Sequence, residues 1–259
     1  MRILIKIGSA QISKGSKIHY SWLKSKVKEI AELQKKDNEI IIVSSGAVAA
    51  GMEVEGLTKR PLDVIKLQLL SGVGQIRLMK YYKDYFKTHK IFVSQILLTH
   101  HSIALNEEKK TIIQIINAYL KQKTIPIINE NDLVCKEELE YKRMFTDNDI
   151  LTALVGTAVK TDIVIILTDV DGLFKTNPKT NSNAELIEKV EKFDDSIREM
   201  ASNETNELGL GGMLSKLEAA EILNKSGIDV LVANGKYKLN DIIENNVKRT
   251  IFIGNSVPN

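Results

Sequence analysis

Four polar clusters in this chain combine cations, carboxylates, hydroxyls and glycines in patterns suited to holding an anion, and each follows or opens a regular element. The first is Lys6-Ile7-Gly8-Ser9-Ala10. A lysine with a glycine two residues on lets backbone N–H groups approach an anion while a fixed positive charge faces it. A strand-end lysine turned to solvent is the plain alternative. The second, Ser44-Ser45-Gly46-Ala47, stands before an Ala-rich helical start. It reads as serines capping a helix N-terminus, either an ordinary cap or an anion site. The third is Asn129-Glu130-Asn131-Asp132, followed after a polar stretch by Asp147-Asn148-Asp149. Carboxylates this dense repel one another unless cations or amino groups sit among them, which favours a binding role over a set of turn and cap residues. The fourth pairs Thr168-Asp169-Val170-Asp171-Gly172 with Gly211-Gly212-Met213-Leu214-Ser215-Lys216. Glycines opening a helix suit a triphosphate, with Lys216 as a second cation.

Other chemistries are disfavoured by what the chain lacks. It has no Gly-x-x-x-x-Gly-Lys-Ser/Thr phosphate loop, and Gly209, Gly211 and Gly212 fail the Gly-x-Gly-x-x-Gly spacing of a dinucleotide fold. Asp169-Val170-Asp171-Gly172 places its glycine too early for a calcium loop and has no closing glutamate. Cys135 is the single cysteine, so no intrachain disulfide and no cysteine-based zinc site is expected, and His19, His89, His100 and His101 show no ligand spacing. No metal-ligating residues are assigned. Lysines are interleaved with glutamates, as in Glu107-Glu108-Lys109-Lys110, and the net charge is only +3, which argues against a nucleic-acid partner. No apolar run is long enough to span a bilayer and the opening MRILIKIG is too short for a signal peptide, so a cytoplasmic protein with no membrane association is expected.

The elements that must position these clusters are legible as alternating apolar runs and amphipathic stretches. Runs at 3–7, 40–43, 91–98, 125–128, 163–167, 230–232 and 250–253 read as buried strands. Continuous rather than alternating hydrophobicity is the mark of a parallel sheet covered on both faces. Trp22, Val27, Ile30 and Leu33 recur at helical spacing, and Asn106 reads as the cap of a helix carrying Ile112, Ile116, Tyr119 and Leu120. The pattern predicts an α/β fold, a three-layer αβα sandwich with a mostly parallel central sheet, forming one domain over residues 1–259. Residues 133–146 read as a hairpin or lid, and residues 175–211 as a long excursion near a ligand. The stretch from Pro61 to Phe86, with Leu67, Leu70, Met79 and Tyr82, is either a subunit interface or a core face.

These clusters, with Val73-Gly74-Gln75, Pro126-Ile127-Ile128 before Asn129, Leu167 before Thr168 and Leu173-Phe174 after Gly172, occur in the order found in a known family. The chain resembles the amino acid kinase family over nearly its whole length. The Asn-Glu-Asn-Asp and Asp-Asn-Asp pairing is the more particular to its glutamate kinases. The resemblance implies transfer of the γ-phosphoryl group of ATP, with Mg²⁺, to the side-chain carboxylate of L-glutamate, the first step toward proline. It places Lys6 and Lys216 at the phosphates, with Asp149 holding both lysines. Ser45, Gly46, Asp132, Asp147 and Asn148 fall at acceptor positions, Asp132 on the substrate ammonium. Gly8, Ser9, Thr168, Asp169, Gly211, Gly212 and Met213 join the two lysines on the nucleotide. It also implies a homo-oligomer, dimer or tetramer, and L-proline as a candidate feedback inhibitor.

The chain departs from the family pattern at Ala10, Leu210 and Ser215, where hydroxyl residues or threonines are more usual, and in a longer gap from Asp132 to Asp147. It ends at Asn259, whereas many relatives continue into an RNA-binding-type domain. Two other readings stand beside glutamate: a family member acting on another acid or on carbamate, and a non-catalytic nucleotide or amino-acid sensor. A sensor has no need of transition-state cations, which the set of Lys6, Asp149 and Lys216 supplies.

Overall fold

The computed structural model describes residues 1–134, 148–178, 180–202 and 212–255. Its elements run β1 (Arg2–Ile7), α1 (Ser9–Ile12), β2 (Ser13–Lys14), β3 (Lys17–Ile18), α2 (Tyr20–Lys35), β4 (Glu39–Ser44), α3 (Ala47–Val54), α4 (Val64–Lys87), β5 (Val93–Leu98), α5 (His100–Ala104), α6 (Asn106–Lys121) and β6 (Ile125–Glu130). They continue with α7 (Asn148–Val159), β7 (Ile163–Thr168), β8 (Leu173–Phe174), β9 (Leu186–Ile187), β10 (Lys189–Val190), α8 (Asp195–Ser202), α9 (Met213–Asn224), β11 (Asp229–Asn234), α10 (Leu239–Ile243) and β12 (Arg249–Phe252). Each apolar run expected as a strand is one. The chain divides into two compact units, Met1–Lys6 with Glu137–Asn259, and Ile7–Lys136.

In the first unit the strands lie in the order β10-β12-β11-β7-β1. β7 and β11 run parallel in register, Ile163 opposite Asp229 through Thr168 opposite Asn234. β12 is antiparallel to β11 and parallel to β10. Burial follows the apolar runs: Ile3, Leu4, Ile5, Val164, Ile165, Ile166 and Leu167 have no exposed surface, as expected of strands covered on both faces. Among its described residues, the excursion read at 175–211 holds more structure than expected: β9, which pairs back to β8, then β10 and α8. Two-residue strands are too short to show a period, which is why their alternation gives no signal.

In the second unit β4, β6 and β5 form a parallel run in that order. β5 is an edge strand and mostly half-buried rather than buried, with Leu98 its one buried residue and Phe92 beside it 79% exposed. Two cap expectations are corrected here. Asn106 is the first residue of α6, and Leu105 holds the cap position, because the short helix α5 ends directly against it. Before α3 the cap position is held by Gly46 rather than by a serine, and the chain turns there at φ +110°. A side chain at 46 is strained at that angle, and its Cβ would stand 2.8 Å from Ile12 Cγ2.

α3 and α4 cross with backbone against backbone. A Cβ at Gly74 would lie 1.8 Å from the Ala47 carbonyl oxygen, and one at Gly51 2.0 Å from that of Leu70. The inward side of α4 carries Leu67, Leu70, Leu78, Tyr82 and Phe86 into the core, so the core-face reading of Leu67, Leu70 and Tyr82 holds. Its outward side leaves Ile65, Leu69, Val73 and Ile76 exposed. Among the described residues no helix is long and apolar enough to cross a membrane.

Candidate active site

The strongest electrostatic feature of the first unit is a buried aspartate between two buried lysines. Asp149, in the first turn of α7, has no exposed surface, while Lys6 on β1 and Lys216 on α9 retain 6% and 5%. Lys6 Nζ stands 2.5 Å from Asp149 Oδ1 and Lys216 Nζ 3.2 Å from Oδ2. Burial alone would raise the Asp149 pKa. The fields of Lys216 and Lys6, with hydrogen bonds from Lys6 and Ser215, outweigh it and hold the carboxyl well below the usual range. The reading of Lys6 as a solvent-facing strand end is thereby excluded. The trio carries a net single positive charge in a dry setting, where an approaching anion is attracted far more strongly than in water.

Local sequence explains how the three meet. An acid in the first turn of α7 is favoured by the helix dipole. Gly212 caps α9 in extended conformation and Met213 is buried just inside. One turn on, Lys216 Nζ donates to the Gly212 carbonyl at 3.3 Å, and the Ser215 hydroxyl has Asp149 Oδ2 at 2.8 Å as its nearer acceptor, with the Gly212 carbonyl at 3.1 Å as the alternative. Sequence reasoning noted Ser215 only as a departure from threonine and did not foresee that it would hold Asp149. A hydroxyl one place before a lysine, in a helix opened by glycine, was the available signal.

Thr168 and Asp169 end β7. Thr168 is buried, its hydroxyl donating to Asp169 Oδ1 at 3.2 Å, and Asp169 is exposed. The neighbouring end of β11 joins them: Asn234 Nδ2 donates to the Asp169 carbonyl at 2.9 Å and Gly235 N–H to that of Thr168 at 2.9 Å. Lys236 pairs with Asp171 at 2.8 Å. These groups lie beyond the carboxyl ends of parallel strands, where open α/β sheets bind ligands. The Asn234-Gly235-Lys236 run was missed, although a polar turn straight after an apolar run was its signal. Asn148 opens α7, its carbonyl accepting from Thr152. Asp147 and Gly211 lie outside the described residues, as do Cys135 and all but Leu133 and Val134 of the expected lid.

The second unit holds the remaining candidates. Gly8 is buried and starts α1, accepting from Gln11 and Ile12, while Ser9 is exposed. Ser44 turns inward to Tyr82, hydroxyl to hydroxyl at 2.8 Å, leaving Ser45 and Gly46 at the half-buried turn. Ser45 N–H donates to the Ile7 carbonyl at 3.0 Å. Asp132 follows β6 and is bound by α4: Ser71 Oγ donates to its Oδ2, and Gln68 Nε2 to its backbone carbonyl at 3.0 Å. Desolvation raises the Asp132 pKa, and the Ser71 hydrogen bond and the field of Arg60 only partly offset it. Asn129 Nδ2 donates to Gln75 Oε1 at 2.9 Å. None of the α4 partners was named from sequence as a site residue.

The amino acid kinase family model matches residues 1–234. The chain belongs to the amino acid kinase family. It is 35% identical to the glutamate 5-kinase of Ligilactobacillus salivarius over 91% of the chain and 88% of that protein. Identity to the glutamate 5-kinase of Lactococcus lactis subsp. lactis is 36%, over 97% of the chain and 94% of that protein. The glutamate 5-kinase of a Marinomonas species is 39% identical over 91% of the chain, which spans 62% of that longer protein. Among solved structures, carbamate kinase from Giardia lamblia bound to AMP-PNP matches with a TM-score of 0.67 at 11% identity, covering 97% of the chain and 98% of that one. The T. acidophilum isopentenyl phosphate kinase product complex gives 0.66 at 18%, covering 97% and 100%. At such identities these two speak for the fold alone. This amino acid kinase thus has the expected fold, a mostly parallel central sheet flanked by helices.

Proposed function

We propose that this amino acid kinase transfers the γ-phosphoryl group of ATP to the side-chain carboxylate of L-glutamate, giving ADP and L-glutamyl 5-phosphate. That is the first step of proline biosynthesis, and we place it in the cytoplasm. The observation that carries the reading is the buried Lys6–Asp149–Lys216 trio. A carboxylate acceptor is already ionised at neutral pH and needs no general base. Catalysis therefore reduces to positioning and to stabilising negative charge on the transferring group and on the departing ADP. Lys6 and Lys216 supply fixed cations for that charge. Asp149 acts as the strut that keeps both ammonium groups aimed, and Ser215 holds the strut.

Nucleotide binding is assigned to Lys6, Gly8, Ser9, Thr168, Asp169, Gly211, Gly212, Met213 and Lys216. The acceptor is assigned to Ser45, Gly46, Asp132, Asp147 and Asn148, with Asp132 on the ammonium group. Among the described residues no group of three His, Cys, Asp or Glu side chains forms a metal site. A Mg²⁺ ion would be carried mainly by phosphate oxygens, the usual habit of that ion. Bound there, it would neutralise phosphate charge. The family model's match to residues 1–234 supports one amino acid kinase domain. The exposed apolar side of α4 supports a homo-oligomer, to be read by light scattering.

The test is ADP release with Mg²⁺-ATP and a panel of L-glutamate, N-acetylglutamate, L-aspartate and carbamate, with and without L-proline. Release stimulated by L-glutamate alone, with an acyl phosphate trapped by hydroxylamine, is the expected result. Turnover with N-acetylglutamate, which has no ammonium, would overturn the role of Asp132. Inhibition by added proline is expected under the same reading.

A further inference from the structure

Helix α4 places Gln68, Ser71 and Gln75 at i, i+3 and i+7, one face of a helix, among the buried Leu67, Leu70 and Leu78. Polar groups set among leucines cost stability unless they are paired. All three are paired with a single segment. Gln68 donates to the Asp132 carbonyl at 3.0 Å, Ser71 to the Asp132 carboxylate, and Gln75 accepts from Asn129 at 2.9 Å. Asn129 is fixed in turn, because its Oδ1 takes the Glu130 N–H at 2.9 Å. The same helix lies hard against the Ser45–Gly46 turn through the contact of Gly74 with Ala47. α4 is therefore the wall that ties the two acceptor segments of this unit to each other.

We infer that Ser71 is a positioning residue for acceptor recognition, orienting the Asp132 carboxylate and keeping it ionised for the ammonium group of the substrate. The inference rests on the proposed reading that the acceptor is an α-amino acid. A serine hydroxyl has one hydrogen to give, and here it goes to Oδ2. Among the described residues Oδ1 accepts no hydrogen bond, which leaves it for an incoming donor. The charged group whose field reaches Asp132 is Arg60, from the turn before α4, while Glu130 lies two residues back on β6. Gln68 and Ser71 bring no charge from α4. Ser71 is thus the neutral hydrogen-bond donor that steers one carboxylate oxygen.

The test compares Ser71→Ala and Ser71→Thr with the unaltered enzyme in L-glutamate kinetics across pH. Removing a hydrogen bond to a charged group is expected to raise KM for L-glutamate about tenfold, with kcat changed less than about twofold. Losing that bond also lifts the Asp132 pKa, so the acidic limb of kcat/KM should move to higher pH. Ser71→Thr, which keeps the hydroxyl, should restore both. Unchanged KM and limb in Ser71→Ala, or a fall in kcat alone, would overturn the inference. Failure of the unaltered enzyme to turn over L-glutamate would sink the functional reading instead. In that event a carboxyl-¹³C NMR titration of Asp132, assigned with Asp132→Asn, decides the role of Ser71. An upward shift in Ser71→Ala supports it, and no shift rejects it.

Discussion

Two aspartates, one in each unit, are withdrawn from water and treated in opposite ways. Asp149 meets two ammonium groups and a serine hydroxyl, and its carboxyl is held well below the ordinary range. Asp132 receives one hydroxyl and the field of one arginine, and burial leaves its carboxyl raised from its ordinary value. The first is over-compensated and serves as a fixed internal counter-ion. The second is under-compensated, and a substrate cation would complete it. A group left short of partners by its own chain marks a binding position better than one already satisfied.

The largest break in that comparison is Lys216→Ala. Removing one cation from the trio is expected to lower kcat by about two to three decades, with the circular dichroism of the parent retained. Full activity in a folded variant would remove the basis of the phosphoryl-transfer reading.

Next in size is Asp149→Asn, which leaves two lysines buried without their counter-ion. Stability should fall by about 3–5 kcal/mol in urea unfolding, the usual cost of stripping one partner from a buried charged set. Because the folded Asp149 pKa is depressed, its stabilisation is in full force above the unfolded carboxylate range. It is lost only as pH falls through the lower folded value. A variant as stable as the parent at neutral pH would show that the trio is not an electrostatic unit.

Asp132→Asn should act on binding instead, raising KM for L-glutamate by about 10- to 100-fold while kcat falls less. The smallest effect sharpens the contrast without any substitution. Because Asp132 must be ionised to pair with an ammonium and its pKa is raised, KM for L-glutamate should climb on acidification sooner than an ordinary aspartate would allow. KM for ATP should stay flat over that range, since Asp149 keeps its charge. Parallel rises in both would mean that the two carboxylates do not differ in the way described.

How much of this could be read from the chain depends on how far each signal reaches along it. Runs such as Ile40–Val43 and Ile163–Leu167 announced their strands, because burial on both faces leaves a continuous apolar stretch. Gly212 through Lys216 announced the start of α9 because cap and cation sit within one turn. By contrast, Ser71 and Gln75 act on residues 61 and 54 positions away, and no local pattern names such a partner. Gln75 stood in the Val73-Gly74-Gln75 motif with no partner attached, and the trace of Ser71 was polarity at helical spacing among leucines that point inward. The capping serines failed for a related reason: an angle of φ +110° calls for glycine, and Gly46 was there to take it.

The crossing of α3 on α4 has a consequence for how this protein is free to change. At Gly51 and Gly74 even a methyl group would overlap main-chain atoms of the facing helix, and no rotamer relieves a clash with backbone. Neither position is assigned a part in binding or catalysis. Both should nonetheless resist substitution through evolutionary drift as stubbornly as the lysines do. A survey of variants scored by survival would then flag two silent glycines alongside Lys6 and Lys216, for reasons of clearance rather than chemistry.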